Sequence, residues 1–89
     1  MRYVWDPEER RSNLIKHGFD FADAEIVFAG PTFTYGDDRY SYGEQRWVTL
    51  GFSQGLFVAI SHTETQSEIR IISMRRGTKH EQSIFFEHL

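Results

Sequence analysis

The 89-residue chain has no cysteine, only two prolines, no long apolar run and no excess of positive charge. The absence of cysteine excludes a disulfide scaffold and a thiolate metal site, and it fits a reducing cytoplasm. No window reaches the roughly 20 apolar residues that a membrane-spanning helix needs. The stretch from Met1 to Asp6 lacks the apolar core of a signal peptide. We therefore expect a soluble, cytoplasmic protein with no membrane partner. A formal charge of -3 exerts no long-range pull on nucleic acid, so such binding must come from a local patch or a partner protein.

What the chain does have is aromatic surface. Eight Phe, four Tyr and two Trp make up 16% of the residues and partly offset the small size. A domain of this length buries roughly 60–65% of the surface its unfolded chain exposes. No linker, repeat or low-complexity tract divides the chain, so residues 1–89 are expected to form one domain.

The order of elements is legible from local signals. Residues 2–5 are β-prone and end at Asp6-Pro7, where Asp6 suits a helix cap and Pro7 a first helical position. Glu9 follows at capping-box spacing. A helix is predicted over Pro7–His17 and is ended by Gly18, with most of its circumference facing solvent or a ligand. A second helix, capped by Asp20, places Phe21, Ala24, Val27 and Phe28 on one face, and Gly30-Pro31 stops it. The period then changes to two. Strands are predicted over 32–36, 44–52, 56–62 and 68–75, with short turns that imply antiparallel neighbours and an open loop beginning at Gly36. A closing helix begins at Thr78, with Glu81 completing a capping box and Ile84 and Phe85 turned to the core. Helices first and strands after indicate an α+β fold on an antiparallel sheet.

Charge is distributed unevenly along this frame. Residues 69–80 hold four of the ten Lys/Arg and none of the thirteen Asp/Glu, which points to a local anion site. The four histidines are not at helix-borne zinc spacing, and neither a Gly-rich phosphate loop nor a serine-nucleophile elbow is present. No cofactor or metal is expected. What remains is arginines on strands and the Lys16-His17 pair at a helix end, residue types that bind and polarise a phosphate. His62 is expected to be a partly buried, hydrogen-bonded residue, His80 and His88 surface residues, and Trp5 and Trp47 core residues.

Trp5-Asp6-Pro7, Asn13, Lys16-His17-Gly18, Phe21 and Ala24 resemble the opening of the BrnT toxins, ribonuclease components of type II toxin–antitoxin operons. Glu44-Gln45-Arg46 through Gly51 is similar to that family's E-x-R-x-x-x-x-G strand, and Arg70 through Thr78, followed by Glu81, is similar to its R-I-I-S-A-R stretch. The resemblance implies a RelE-like fold and metal-independent endoribonuclease activity that inhibits translation and arrests growth. It also implies a ribbon-helix-helix antitoxin partner in a hetero-oligomer that reaches operator DNA only through the antitoxin. Metal-free cleavage lets the ribose 2′-OH attack the adjacent phosphate and asks the enzyme mainly to stabilise charge on the phosphorane. On this reading Arg46, Arg70 and Arg75 clamp the scissile phosphate and His17 is the general base or acid. Lys16, Arg76 and Lys79 hold flanking phosphates.

Two expectations qualify this reading. Arg70 and Arg75 lie an odd number of residues apart and point to opposite faces of a regular strand, so they converge only if a bulge intervenes or Arg75 lies past the strand end. Glu9 and Phe85 depart from the family pattern, where relatives tend to have Lys and Tyr. They leave open an alternative function: a weakened or inactive module that binds the antitoxin without cutting RNA. A third reading, direct DNA binding, lacks a recognition element and conflicts with the net acidity.

Overall fold

The computed structural model describes residues 1–39 and 43–89. A strand β1 (Arg2–Trp5) leads into helix α1 (Pro7–His17), a 3-10 turn over Phe21–Asp23 and a short helix α2 (Ala24–Ala29). Strands β2 (Phe33–Asp37), β3 (Arg46–Ser53), β4 (Leu56–Glu64) and β5 (Glu68–Arg76) follow, and helix α3 (Lys79–Glu87) closes the chain. The five strands form one sheet in the order β1-β5-β4-β3-β2. Among the described residues no helix is long and apolar enough to cross a membrane.

Local chemistry sets the helix ends. The Asp6 carboxylate accepts from the backbone N–H of Glu8 and Glu9, and Gly18 ends α1 at φ 79°, a conformation that glycine adopts without a Cβ clash. The expected capping box at α1 is only half formed, because the Glu9 side chain lines a surface cleft instead. At α3 both halves are present, with Thr78 and Glu81 bonding reciprocally. Asp20 caps the 3-10 turn, and α2 begins only after it. Gly36 and Asp37, expected in an open loop, belong to β2, and the rest of that loop lies partly outside the described residues.

Each face of the sheet carries its own cluster. Phe21, Ala24 and Val27 cover Val58, Ile60, Ile69, Ile71 and Met74 on one face, with Tyr3, Trp5 and Phe28 around them. On the other, Phe85 of α3 covers Val48, Leu50, Phe57 and Ala59. Gly77 makes that second packing possible, since a Cβ there would stand 2.3 Å from the Phe57 ring. The sheet is mixed rather than wholly antiparallel, because β1 joins β5 in parallel, Trp5 opposite Ile71.

Beyond Ile71 the edge of β5 has no strand partner among the described residues, and α1 takes the place. Asn13, the buried residue of α1, accepts from the Met74 N–H at 3.0 Å and donates to the Met74 carbonyl at 2.9 Å. Its amide also donates to the Phe19 carbonyl, so one side chain satisfies the bare edge and ties in the following turn. Leu14 and Ile15 remain 46% and 81% exposed, so α1 docks through a polar contact rather than an apolar stripe. Arg10 adds a two-bonded ion pair to Asp20 and lies over the Trp5 ring.

Candidate active site

The register of β5 decides how the arginines are arranged. Ser73 pairs with Ser61 but Ile71 pairs with His62, so Ile72 is an extra residue opposite the Ser61–His62 step. A bulged residue reverses the alternation beyond it. Ile69 and Ile71 before the bulge and Met74 after it therefore all enter the α2-side core, and Arg70, Ser73 and Arg75 all face the α3 side. On β3, Arg46 shares the face of Val48 and Leu50, which is again the α3 side. The structure thus brings Arg46, Arg70 and Arg75 to one face, with Arg75 beside the first turn of α3 and Arg70 further along β5. Arg70 and Arg75 lie opposite Thr63 and Ala59 of β4, roughly 13 Å apart along the strand at about 3.3 Å per residue.

Arg70 and Arg75 are held by carboxylates. Arg75 donates two bonds of 2.8 Å to the two oxygens of Glu81, which is only 6% exposed and also accepts from the Thr78 N–H. Burial alone would raise the Glu81 carboxyl, but the Arg75 and Thr78 hydrogen bonds outweigh it and hold the group below the usual carboxylate range. The Tyr35 hydroxyl lies 3.5 Å from the same carboxylate, and burial together with that negative charge raises the phenol. Arg39 holds Asp37 with two bonds and lowers its carboxyl, and Arg70 meets Glu44 at 3.1 Å. Tyr35, Asp37, Arg39, Arg75, His80 and Glu81 line one cleft of about 360 Å³ between β2 and the first turn of α3.

His17 lies elsewhere. With Lys16, Glu9, Ser12 and Asn13 it lines a shallower cleft of about 210 Å³ along the β5 edge, against the bulged Ile72 and its neighbour Ser73. By register Ser73 faces the α3 side, so the edge of β5 is where the two surfaces meet. Arg76 and Lys79 are in neither place. They are exposed around the start of α3, Arg76 beside Phe57, Gln82 and Phe86.

A family model described as the ribonuclease toxin BrnT of type II toxin–antitoxin systems matches residues 5–81. The chain belongs to the BrnT family. The crystal structure of the Brucella abortus ribonuclease toxin BrnT superposes with a TM-score of 0.70 at 26% identity, covering 89% of this chain and 99% of that one. No curated protein matches by sequence comparison. The α+β architecture with its closing helix is thus the BrnT fold, and membership makes this chain a ribonuclease-toxin homologue with an antitoxin as its partner class.

The two departures from the BrnT pattern have different settings. Phe85 is 2% exposed, with ring centroids 5.5 Å from Phe52 and Phe57, so it is a core residue. Glu9, by contrast, brings a carboxylate into the cleft of Lys16 and His17. His62 is fully buried, with Nε2 2.7 Å from the Thr49 hydroxyl and Phe28 edge-on against it; desolvation lowers it to about 4, which keeps it neutral. Tyr35, Arg39, His80 and the orienting role of Glu81 escaped sequence reasoning. The signal the sequence carries for them is Arg75 six residues before the capping-box Glu81.

Proposed function

We propose that this BrnT chain cleaves RNA without a metal ion, holding the scissile phosphate against the α3 side of the sheet with Arg46, Arg70 and Arg75. The observation that carries this reading is the bulge at Ile72, without which the three guanidinium groups would not share a face. Glu81 fixes the Arg75 fork in one orientation, so charge stabilisation of a phosphorane would need little reorganisation. His17, at the adjoining edge of β5, is the proton donor or acceptor in this proposal, and Lys16 beside it holds the neighbouring phosphate. The partner is a ribbon-helix-helix antitoxin, through which alone the complex reaches DNA.

The test is cleavage of a defined RNA by the purified chain in excess chelator, with the product ends identified. The expected products carry 2′,3′-cyclic phosphates, and Arg46→Ala and His17→Ala each lower the rate by roughly a hundredfold or more while the melting temperature stays within a few degrees. Full activity in a folded variant removes that residue from the mechanism. One observation favours a second reading, an antitoxin-binding module that does not cut RNA: Arg70 and Arg75 already face the carboxylates Glu44 and Glu81. That module, expressed alone, would leave growth unaffected, whereas the ribonuclease would arrest it.

A further inference from the structure

We propose that the groove between the β3–β4 hairpin and the outer side of α3 is where the antitoxin docks, through a segment that is apolar along one side and carries carboxylates at one end. The proposal rests on the antitoxin being this fold's partner and adds where and by what chemistry it is recognised. Phe52, Leu56 and Phe86 are 38%, 42% and 58% exposed around a groove of about 300 Å³ floored by Phe57. Phe85 meets both Phe52 and Phe86 edge-on at 5.5 and 5.4 Å, so the exposed rings are an extension of the core and are held in place before anything binds. The hairpin turn is tight, with Gln54 and Gly55 both at positive φ. Pre-set apolar side chains of this kind are the anchors that dominate protein interfaces.

Charge identifies the occupant. Arg2, Arg10, Arg39, Arg70 and Arg75 each form an ion pair. Arg76, which lines the groove, and Lys79 at the start of α3 have no carboxylate partner among the described residues, although the chain as a whole is acidic. Such an end of the groove calls for the partner's carboxylates. A second copy fits poorly, because a two-fold pairing of groove on groove would set Arg76 and Lys79 near their own copies. RNA fits poorly too. The surface offers Leu56 and rings tilted against one another at 63° to 88°, with Gln82 as the one side-chain amide, rather than a stacking platform with base-reading groups. Because Gln82 adjoins Glu81 and Arg76 adjoins Arg75, an occupant here would bear on the ion pair behind the proposed phosphate site.

The experiment is titration of the purified chain with the antitoxin of its own operon, comparing wild type, Phe86→Glu and Arg76→Glu. Both positions are exposed, and unchanged melting temperatures verify the fold. Each substitution is expected to weaken binding roughly tenfold or more, and Arg76→Glu to flatten its salt dependence. Wild-type affinity in both folded variants overturns the groove and leaves the antitoxin partnership standing; no binding by the wild type overturns both. Self-association of the wild type that Phe86→Glu abolishes would assign the groove to a second copy, and loss of RNA binding with unchanged antitoxin affinity would assign it to RNA. Either result also overturns the proposal.

Discussion

The two faces of the sheet are made by the same alternating strands and are chemically opposite. The α2 side is apolar along its length, from Val58 and Ile60 to Ile69, Ile71 and Met74, and its buried titratable group, His62, is kept neutral. The α3 side is apolar only beneath Phe85, with Arg75 and Glu81 bordering that cluster and Arg70 with Glu44 lying further along. Alternation would have divided the arginines of β5 between these environments and turned one toward the core. The extra residue Ile72 keeps Ile71 and Met74 in one core and at the same time gathers Arg70 and Arg75 on the other side. Core protection and the gathering of Arg70 and Arg75 on one face are therefore one structural event.

The largest way to break this difference is to delete Ile72. The chain N-terminal to it in β5 would then present Arg70 to the apolar face and Ile69 and Ile71 to the arginine face. A loss above about 5 kcal/mol is expected, comparable to the whole stability of a domain this small, so thermal scans should show no cooperative transition. A cooperative melt would mean that the register is set elsewhere. Removing the polar seal beside the bulge is next in size. Asn13→Ala leaves the buried Met74 N–H and carbonyl without partners and should cost about 3 kcal/mol by denaturant unfolding.

Breaking the arginine face chemically is expected to cost somewhat less. Arg75→Ala strands the buried Glu81 carboxylate and should lower stability by about 2 kcal/mol at neutral pH, less than for a fully buried pair because Arg75 is 30% exposed. Adding Glu81→Gln should restore part of that loss, and a double-mutant cycle without coupling would show that the pair does not act as a unit.

An effect absent at neutral pH and reaching a similar size only in acid sharpens the comparison from the α2 side. The folded His62 titrates at about 4 instead of near 6.5, so between those values the unfolded chain binds the proton first. Stability from this group is full above pH 6.5 and is lost as pH falls toward 4, by about 2 kcal/mol at pH 5. The lowered carboxyls of Asp20, Asp37 and Glu81 lose their contributions lower, in the carboxylate range. His62→Gln should therefore flatten the unfolding profile between pH 6.5 and 4.

Much of the frame was legible because its signals are local. The bounds of α1 follow from Asp6, Pro7 and Gly18, and the capping box of α3 from Thr78 and Glu81, because these hydrogen bonds join residues a few positions apart. Apolar periodicity picked out Phe21, Ala24 and Val27, and the strands differ from expectation by one or two residues at their ends. The resemblance to BrnT likewise came from short motifs in order, and the family match confirms it.

The sequence by itself thus determined the elements, their order and the family. It also supplied the concentration of arginine in residues 69–80, because propensity, capping and composition act within a few residues. Only the tertiary structure decided the parallel entry of β1, the bulge at Ile72, and Asn13 as the seal of an edge 61 residues away. It also placed His17 on the edge of β5 rather than among the arginines. Each of these depends on which backbone groups remain unpaired once distant strands have met, and that is settled by register across the whole sheet.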